Sequence, residues 1–372
     1  MGQLLDQQAV VARILDHVDR KTTDLSDGMW REPVAHYRSA ERFTDEIERV
    51  FRRAPTPFCP SAALPDEGSF VAREAALTPI VAVRGADGVA RAFRNACRHR
   101  GMQVVDGSGC KAAFVCRYHG WTYGLDGRLR GVPHEHGFPD LDKAKNGLVP
   151  VKTVERHGMV FITQDEPELT PANIESLPDL FDARWRLVST NEQDVAANWK
   201  IIAEGFLEGY HIRSTHQDTF YPIQYDNLNV IEAFGRNSRI TFPYRRIERL
   251  RSVPRERWSS DGMLTHVYHL FPNVMVATFP TNMTMSVLEP LSVSRTRLLT
   301  FTMSASAESE EGRAAVSKGR DFVAAGAAED REMAVAIQRG LASNANENFV
   351  FGLFEGAIAH FHRGLAAAID NR

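Results

Sequence analysis

Two short boxes, Cys97-x-His99 and Cys116-x2-His119, constrain this chain more than any other feature; sixteen residues separate them. Each box holds one thiol and one imidazole. Each also has a glycine close by, Gly101 and Gly120, so each can be presented by a tight turn that uses the backbone freedom of glycine. Two such loops can close on one buried metal centre. Four cysteines in 372 residues are too few for a disulfide scaffold, and three of them, Cys97, Cys110 and Cys116, fall in one short segment. That clustering points to metal rather than to cross-linking.

The donor set admits two readings. A [2Fe–2S] centre of the Rieske type takes two thiolates on one iron and two imidazoles on the other. A structural zinc site takes the same donors on a single ion, but zinc modules more often pair Cys with Cys and His with His. Here each loop brings one of each, which favours the iron–sulfur reading. Cys110 and Cys59 lie outside the boxes and read as small, buried apolar residues.

At 372 residues the chain exceeds one typical domain. Residues 3–21 carry apolar positions at helical spacing and predict an opening amphipathic helix. From Phe43 to Thr163, β-rich runs such as PIVAVR, VARAFR and MVFIT alternate with Gly- and Pro-bearing turns, as in a small antiparallel β domain. The Pro-rich segment Pro167 to Leu180 is a plausible boundary. The second half predicts a helix around Trp199 to His211 and strands near Ser238 to Tyr244, Leu270 to Val287 and Arg297 to Met303. Helices then follow at Glu310 to Gln338 and Phe349 to Ala368. The expected class is α+β: an N-terminal helical segment (1–42), an antiparallel β domain (43–165), and a C-terminal domain (166–372) with an antiparallel sheet flanked by helices.

A second constellation lies in N-W-K-I-I-A-E-G-F-L-E-G-Y-H-I-R-S-T-H, residues 198–216. Glu204, Glu208 and His211, spaced four and three apart, would share one face of a helix, with His216 after the helix turns. An oxygen-activating Fe(II) needs open coordination positions, which two histidines and one carboxylate leave.

The C-R-H-R-G box at Cys97 to Gly101 and the C-R-Y-H-G-W box at Cys116 to Trp121, followed by Tyr123 and the Asp126–Gly127 turn, resemble the Rieske domain of ring-hydroxylating and related terminal oxygenases. The resemblance spans roughly Phe43 to His362, where FEGAIAHFH looks like the family's C-terminal helix. It implies that Cys97 and Cys116 ligate one iron of the cluster and His99 and His119 the other. The 198–216 run resembles the family's N-W-K, E-N-F and D-x2-H-x4-H signature, implying His211 and His216 as ligands of a mononuclear Fe(II). The segment around Glu329 and Asp330 resembles the family's E-D-x7-Q-x-G-L, with Gln338, Gly340 and Leu341 marking the register. Asp330 is then the third ligand, with Glu329 and Asp321 as fallbacks. Two positions depart from the pattern: Gly205 stands where Asn is common, and Glu208 where Asp is usual. By the resemblance Glu208 joins the two centres, accepting a hydrogen bond from His119 of a neighbouring subunit, and a Glu there is similar to the branch that acts on carnitine and other trimethylammonium compounds.

The resemblance therefore implies a terminal oxygenase that feeds electrons from the cluster to the iron, where O2 is activated for hydroxylation or oxidative demethylation of a small organic substrate. Aromatic-ring dioxygenation by the same centres is the alternative within the class. No strand–turn–helix GxGxxG fingerprint is present, so NAD(P)H electrons are expected through a separate reductase or ferredoxin. A homotrimer is implied as well. Met275, Phe279, Met283 and the segment near Phe206 are candidates for the substrate pocket. Rival classes are a zinc-dependent hydrolase, which uses the same donor types, and a pure electron-transfer protein, which leaves the second half unexplained. A formal net charge of -3 and the lack of any long Lys/Arg stripe give no support for nucleic-acid binding; Arg245, Arg246, Arg249 and Arg251 are interrupted by Glu248. No apolar run approaches the roughly 20 residues of a membrane span. Asp6, Asp16 and Asp19 interrupt any signal-peptide pattern, so a cytoplasmic location is expected.

Overall fold

The computed structural model describes residues 4–166, 172–175, 177–306 and 310–370. The chain divides into two compact units, Phe51–Leu187 and the pair of segments Met1–Val50 and Val188–Arg372. Of the boundary segment expected at 167–180, residues 167–171 and 176 lie outside the described residues.

The unit Phe51–Leu187 is antiparallel β. One sheet runs in the order Thr56–Pro60, Met159–Thr163, Pro150–Arg156, Ala90–Arg94, Thr78–Arg84, Ser69–Ala75, Ser108–Cys110. The three runs read from sequence as strands appear as Thr78–Arg84, Ala90–Arg94 and Met159–Thr163. The continuous stretch Ile80 to Val83 is fully buried, as expected of a strand covered on both faces. A smaller three-stranded sheet joins Phe114–Val115, Thr122–Tyr123 and Leu129–Gly131. Phe70, Phe93, Phe114, Trp121 and Tyr123 form one core together with the thiols of Cys97 and Cys116. Burial of each such ring stabilises the unit by roughly 1.5–3 kcal/mol, so the two box cysteines are set in a well-packed core. Cys59 is fully buried, and burial pushes its thiol up to about 12. Cys110 is exposed, contrary to expectation, because it sits on a short edge strand whose three residues all face solvent.

The other unit is built on an antiparallel sheet in the order Arg186–Val195, Arg295–Ser304, Met283–Ser292, Val274–Thr278, Leu264–Leu270, Asn237–Pro243, Val230–Phe234. The helix Trp199–Phe206 packs on the strand Met283–Ser292 and on the long helix Glu310–Gly340. The opening helix is Gln7–Arg20; residue 3 of the expected span lies outside the described residues. It buries Val10, Val11, Ile14 and Leu15 against Val230, Ile247 and Leu264.

Two elements differ from the sequence reading. Phe349 was expected to open the last helix, but Asn348–Phe351 is a strand paired with Trp30–Pro33, and the helix begins at Gly356. Aromatic and β-branched side chains at 349–351 suit a pleated edge, and Gly352 separates them from the helix. The helix expected through His211 ends at Phe206. Weak helix formers Gly205 and Gly209 flank the break, and the Glu208 carboxylate accepts from the backbone N–H groups of Tyr210 and His211, which holds a turn in place of the helix. Among the described residues no helix is long and apolar enough to cross a membrane.

Candidate metal centres

The two cluster boxes form matching turns. The Cys97 N–H donates to the Met102 carbonyl and the Gly101 N–H to the Cys97 carbonyl, both at 2.8 Å. The Cys116 N–H donates to Trp121 and the Gly120 N–H to Cys116, both at 2.9 Å. Gly101 and Gly120 each have φ of +74°, the left-handed conformation that glycine adopts without steric cost, and a Cβ on Gly120 would also press to 2.9 Å from Pro133 Cγ. The thiols are buried, each residue 3 % exposed, while His99 is half-buried and His119 exposed. The two imidazole centroids lie 4.7 Å apart, and Trp121 stacks on His99 at 5.0 Å and 7°. Burial first, then the charges of His119 and Arg100, lower the pKa of His99, favouring the neutral ring that ligates metal. Tyr123 Oη lies 3.2 Å from Cys97 Sγ and accepts from the Arg98 N–H at 2.8 Å.

His211, His216 and Asp330 converge: one donor atom from each lies within 4.8 Å of the others. His211 heads the short helix Ile212–Thr215 and His216 ends it, while Asp330 projects from the helix Glu310–Gly340. Both Nε2 atoms face the same oxygen, Asp330 Oδ1, at 3.4 Å from His211 and 2.9 Å from His216. The opposite ring nitrogens are held from behind. His211 Nδ1 bonds Glu208, and His216 Nδ1 bonds Glu329 Oε2 at 2.7 Å, an oxygen that also accepts from Thr219 Oγ1 at 2.7 Å. Carboxylates behind ligating histidines fix the ring and raise its basicity. Burial alone would lower the pKa of His211, but its bonds to Asp330 and Glu208 outweigh this and bring it up to about 10. Burial opposes ionisation of Asp330, yet the two imidazoles hold its carboxyl below the usual range. The donor set, two histidines and a carboxylate with excess negative charge behind them, fits a divalent iron.

The four box ligands are arranged differently. Among the described residues only the His211 trio draws three candidate ligand atoms within 4.8 Å. A lone tetrahedral zinc would need its donors about 3.5 Å from one another, whereas a two-iron cluster spreads thiolates and imidazoles over a wider span. Two thiols and two imidazoles, one of each per box, are the donor set of a [2Fe–2S] centre of the Rieske type.

A cavity of about 330 Å³ opens onto the trio. Phe206, Phe220, Phe242, Phe279 and Phe351 line it with aliphatic residues such as Ile201, Val267 and Ile337; Glu204, Glu208, Glu355 and Arg331 are its other ionisable residues. Burial pushes the Glu355 carboxyl up to about 7. Of the pocket candidates, Phe206 and Phe279 line the cavity, while Met275 and Met283 are core. Met275 lies on the same strand face as Ala277 but opposite His269, one step along, and Met283 pairs with Thr278 on the other face. Asp321, a fallback ligand, is exposed and sits beside Arg320.

Glu204 does not join the trio. It accepts hydrogen bonds from Tyr37 and His362, and the next charged residue along the helix, Lys200, is buried with Glu46 at 2.6 Å. Sequence reasoning missed Tyr37, His362, Glu32 and Glu46. Their signal was present in charged residues set among apolar ones: Lys200 and Glu204 flank Ile201, Ile202 and Ala203, and His362 sits in an apolar terminal helix.

Residues 54–154 match the family model of the Rieske [2Fe-2S] domain, and residues 181–371, more than half the chain, match that of the ring hydroxylating alpha subunit catalytic domain. The carnitine monooxygenase oxygenase subunit of Escherichia coli (strain K12) is 28% identical over 366 residues, covering 91% of this chain and 93% of the relative. The N,N-dimethyl phenylurea N-demethylase subunit alpha of Sphingobium sp. (strain YBL2) is 32% identical over 230 residues, covering 58% of this chain and 49% of the relative. A solved quaternary ammonium Rieske monooxygenase superposes with a TM-score of 0.79 at 23% identity, over 92% of this chain and 96% of its own. Naphthalene 1,2-dioxygenase from Rhodococcus sp. superposes with a TM-score of 0.76 at 19% identity, over 98% and 99%. With both domains matched in the order in which the two donor sets occur along the sequence, the chain belongs to the ring-hydroxylating alpha-subunit family and is a Rieske-type oxygenase with a [2Fe–2S] cluster and a mononuclear iron.

Proposed function

We propose that this oxygenase hydroxylates an N-methyl group of a small amine or quaternary ammonium compound, which then loses that carbon as formaldehyde. The observation that carries the reading is the position of the trio His211, His216 and Asp330 at a cavity walled by phenylalanine rings and edged by carboxylates. Aromatic faces attract a cation whose surface is otherwise apolar. The relatives whose names include carnitine, choline and glycine betaine monooxygenase support the same substrate class.

Cys97 and Cys116 would hold one cluster iron and His99 and His119 the other; His211, His216 and Asp330 would hold the mononuclear iron. When bound, the cluster supplies single electrons and the iron supplies oxygen activation. The chain's own residues do the rest. Glu208 and Glu329 orient the two imidazoles so that both Nε2 atoms face the Asp330 side. The phenylalanine wall excludes water and presents the methyl group. By our reading residues 43–165 are the cluster domain and 166–372 the catalytic domain, with 1–42 as a helical segment ahead of them. The protein works as a cytoplasmic homotrimer, in which the exposed His119 of one copy bonds Glu208 of the next, and it receives NAD(P)H electrons through a separate reductase.

The test is electron paramagnetic resonance on anaerobically purified, dithionite-reduced protein, with iron, sulfide and zinc assayed on the same sample and formaldehyde measured with a panel of N-methyl and aromatic substrates. The expected result is a Rieske-type signal, iron beyond the cluster's share that is lost in His211→Ala, and formaldehyde from an N-methyl compound. Zinc without sulfide would return the chain to a hydrolase. Diol products from an arene without formaldehyde would replace demethylation by ring dioxygenation.

A further inference from the structure

Hydroxylation has a proton requirement: C–H + O2 + 2 e⁻ + 2 H⁺ gives C–OH + H2O, with the electrons coming from a reduced flavin or iron–sulfur reductase. The cavity wall is mostly hydrocarbon, so these protons need a carrier. Among the ionisable residues of the cavity, His211, His216 and Asp330 form the metal trio, and Glu208 is committed to His211. Arg331 carries a guanidinium that does not give up its proton. Glu355 accepts from the backbone N–H of Gly352 at 2.5 Å, not from an ionisable neighbour. Outside the trio and the Glu208 that supports it, Glu204 connects onward through ionisable side chains.

We infer that His36, Glu32, His362 and Glu204 form a proton path from the protein surface to the oxygen-activating cavity, with Tyr37 bracing its inner end. Glu204 Oε1 accepts from Tyr37 Oη at 2.5 Å and from His362 Nε2 at 2.8 Å, and Glu204 itself lines the cavity. The other nitrogen of the His362 ring, Nδ1, is buried with no hydrogen-bond partner and faces Glu32 Oε1 at 3.5 Å. That same Glu32 oxygen bonds His36 Nδ1 at 2.6 Å, and the His36 side chain is 34 % exposed. Each side chain from His36 inward is thus either bonded to the next or, at one point, a short step from it. The 3.5 Å gap is a size that a ring rotation or one bridging water closes.

The protonation states suit a relay. Burial, only partly offset by Tyr37 and Lys200, pushes the Glu204 carboxyl up to about 8, so it holds a proton at neutral pH and can release it. Burial lowers His362 to about 4, so its ring is neutral, with one nitrogen donating and the other accepting. The ionisable groups facing Glu204 are Tyr37, His362, Lys200, Glu32 and, across the cavity, Glu355, and Lys200 is held by Glu46. When Glu204 gives its proton to the cavity, His362 Nε2–H replaces it, Nδ1 takes one through Glu32 from His36, and His36 recovers one from solvent. One proton moves inward and no charge stays behind, and a flip of the His362 ring returns its N–H to the Glu204 side for the second proton. A purely structural role would be served more cheaply by neutral side chains, since buried carboxylates are costly to desolvate.

The role assigned to the cavity rests on the oxygenase reading, but the path itself can be tested without iron. In metal-free protein, infrared spectroscopy follows the carbonyl stretch of protonated Glu204, identified by its disappearance in Glu204→Gln, and times its shift after mixing into D2O. We expect Glu32→Gln and His362→Gln to slow that exchange at least tenfold, while Tyr37→Phe displaces the band but exchanges at the normal rate. In the iron-loaded enzyme the same two slow variants should form less product per O2 consumed, release hydrogen peroxide and show a larger solvent isotope effect, with cluster and iron content intact. Exchange and coupling in Glu32→Gln equal to those of the unmodified protein would overturn the path, and this holds even if His362→Gln does not fold. Normal infrared behaviour with no iron retained by the trio would instead overturn the oxygenase assignment of the site.

Discussion

Glu329 is the residue at which ligand and support are most easily confused, because it adjoins Asp330 and is also a carboxylate. In the structure it stands behind His216, with Oε2 accepting from His216 Nδ1 and Thr219 Oγ1, both at 2.7 Å. Glu329→Gln keeps an acceptor oxygen in place and removes only the charge. Losing a carboxylate behind a ligating histidine weakens metal affinity by about 10- to 100-fold, or roughly 1.4–2.7 kcal/mol. The side chain is 31 % exposed, so solvent already screens part of its charge and the loss should fall near the tenfold end. The assay is anaerobic dialysis against graded Fe(II), with iron counted beyond the cluster's share by a parallel sulfide assay. Asp330→Asn should abolish stoichiometric mononuclear iron at concentrations that still saturate Glu329→Gln. An affinity within twofold of the unmodified protein would refute the orienting role, and complete loss of mononuclear iron in Glu329→Gln would make Glu329 a ligand.

Other consequences can be checked by direct measurement. Tyr123→Phe removes the hydroxyl at 3.2 Å from Cys97 Sγ. Loss of about 1 kcal/mol of hydrogen bonding to the oxidisable sulfur should lower the cluster potential by roughly 40 mV in a redox titration. Lys200→Met strands the buried Glu46 carboxylate, which keeps only Trp199 and the weaker Arg42 contact, so denaturant unfolding should show a loss of about 3–5 kcal/mol. Burial lowers His269 to about 4, while the unfolded ring titrates near its ordinary value of about 6.5. The unfolded state binds the extra proton between those values, so stability is full above pH ~6.5 and falls by up to about 3 kcal/mol as pH drops toward 4. His362 and His266 are lowered by burial as well, so His269→Gln should remove one proton's share of that slope rather than all of it; a slope unchanged by the substitution would refute the role of His269.

Much of this protein was legible in its sequence because the candidate metal donors are local in the chain. Cys97 with His99, Cys116 with His119, and His211 with His216 each fall within one turn or loop, so residue type and spacing carry the chemistry. The short β-rich runs of the first half carried their own period and appear as strands. Cys110 and the Phe349–Phe351 segment were misread because their fate depends on which strand lies beside them, Ser69–Val71 for the first and Trp30–Pro33 for the second.

By itself, the sequence determined an α+β chain with two donor sets in a set order, because donor chemistry and hydrophobic period belong to short segments. Only the tertiary structure decided which carboxylate meets the histidines. Neighbours on a helix point about 100° apart, so the facing of the Glu310–Gly340 helix sends Asp330 to the two Nε2 atoms and Glu329 to the back of His216. It also decided that Glu204, which sequence spacing had set on the metal-binding face, turns instead to Tyr37 and His362, residues 167 and 158 positions away along the chain. Such pairings follow from how distant segments are brought together, and no local pattern encodes them.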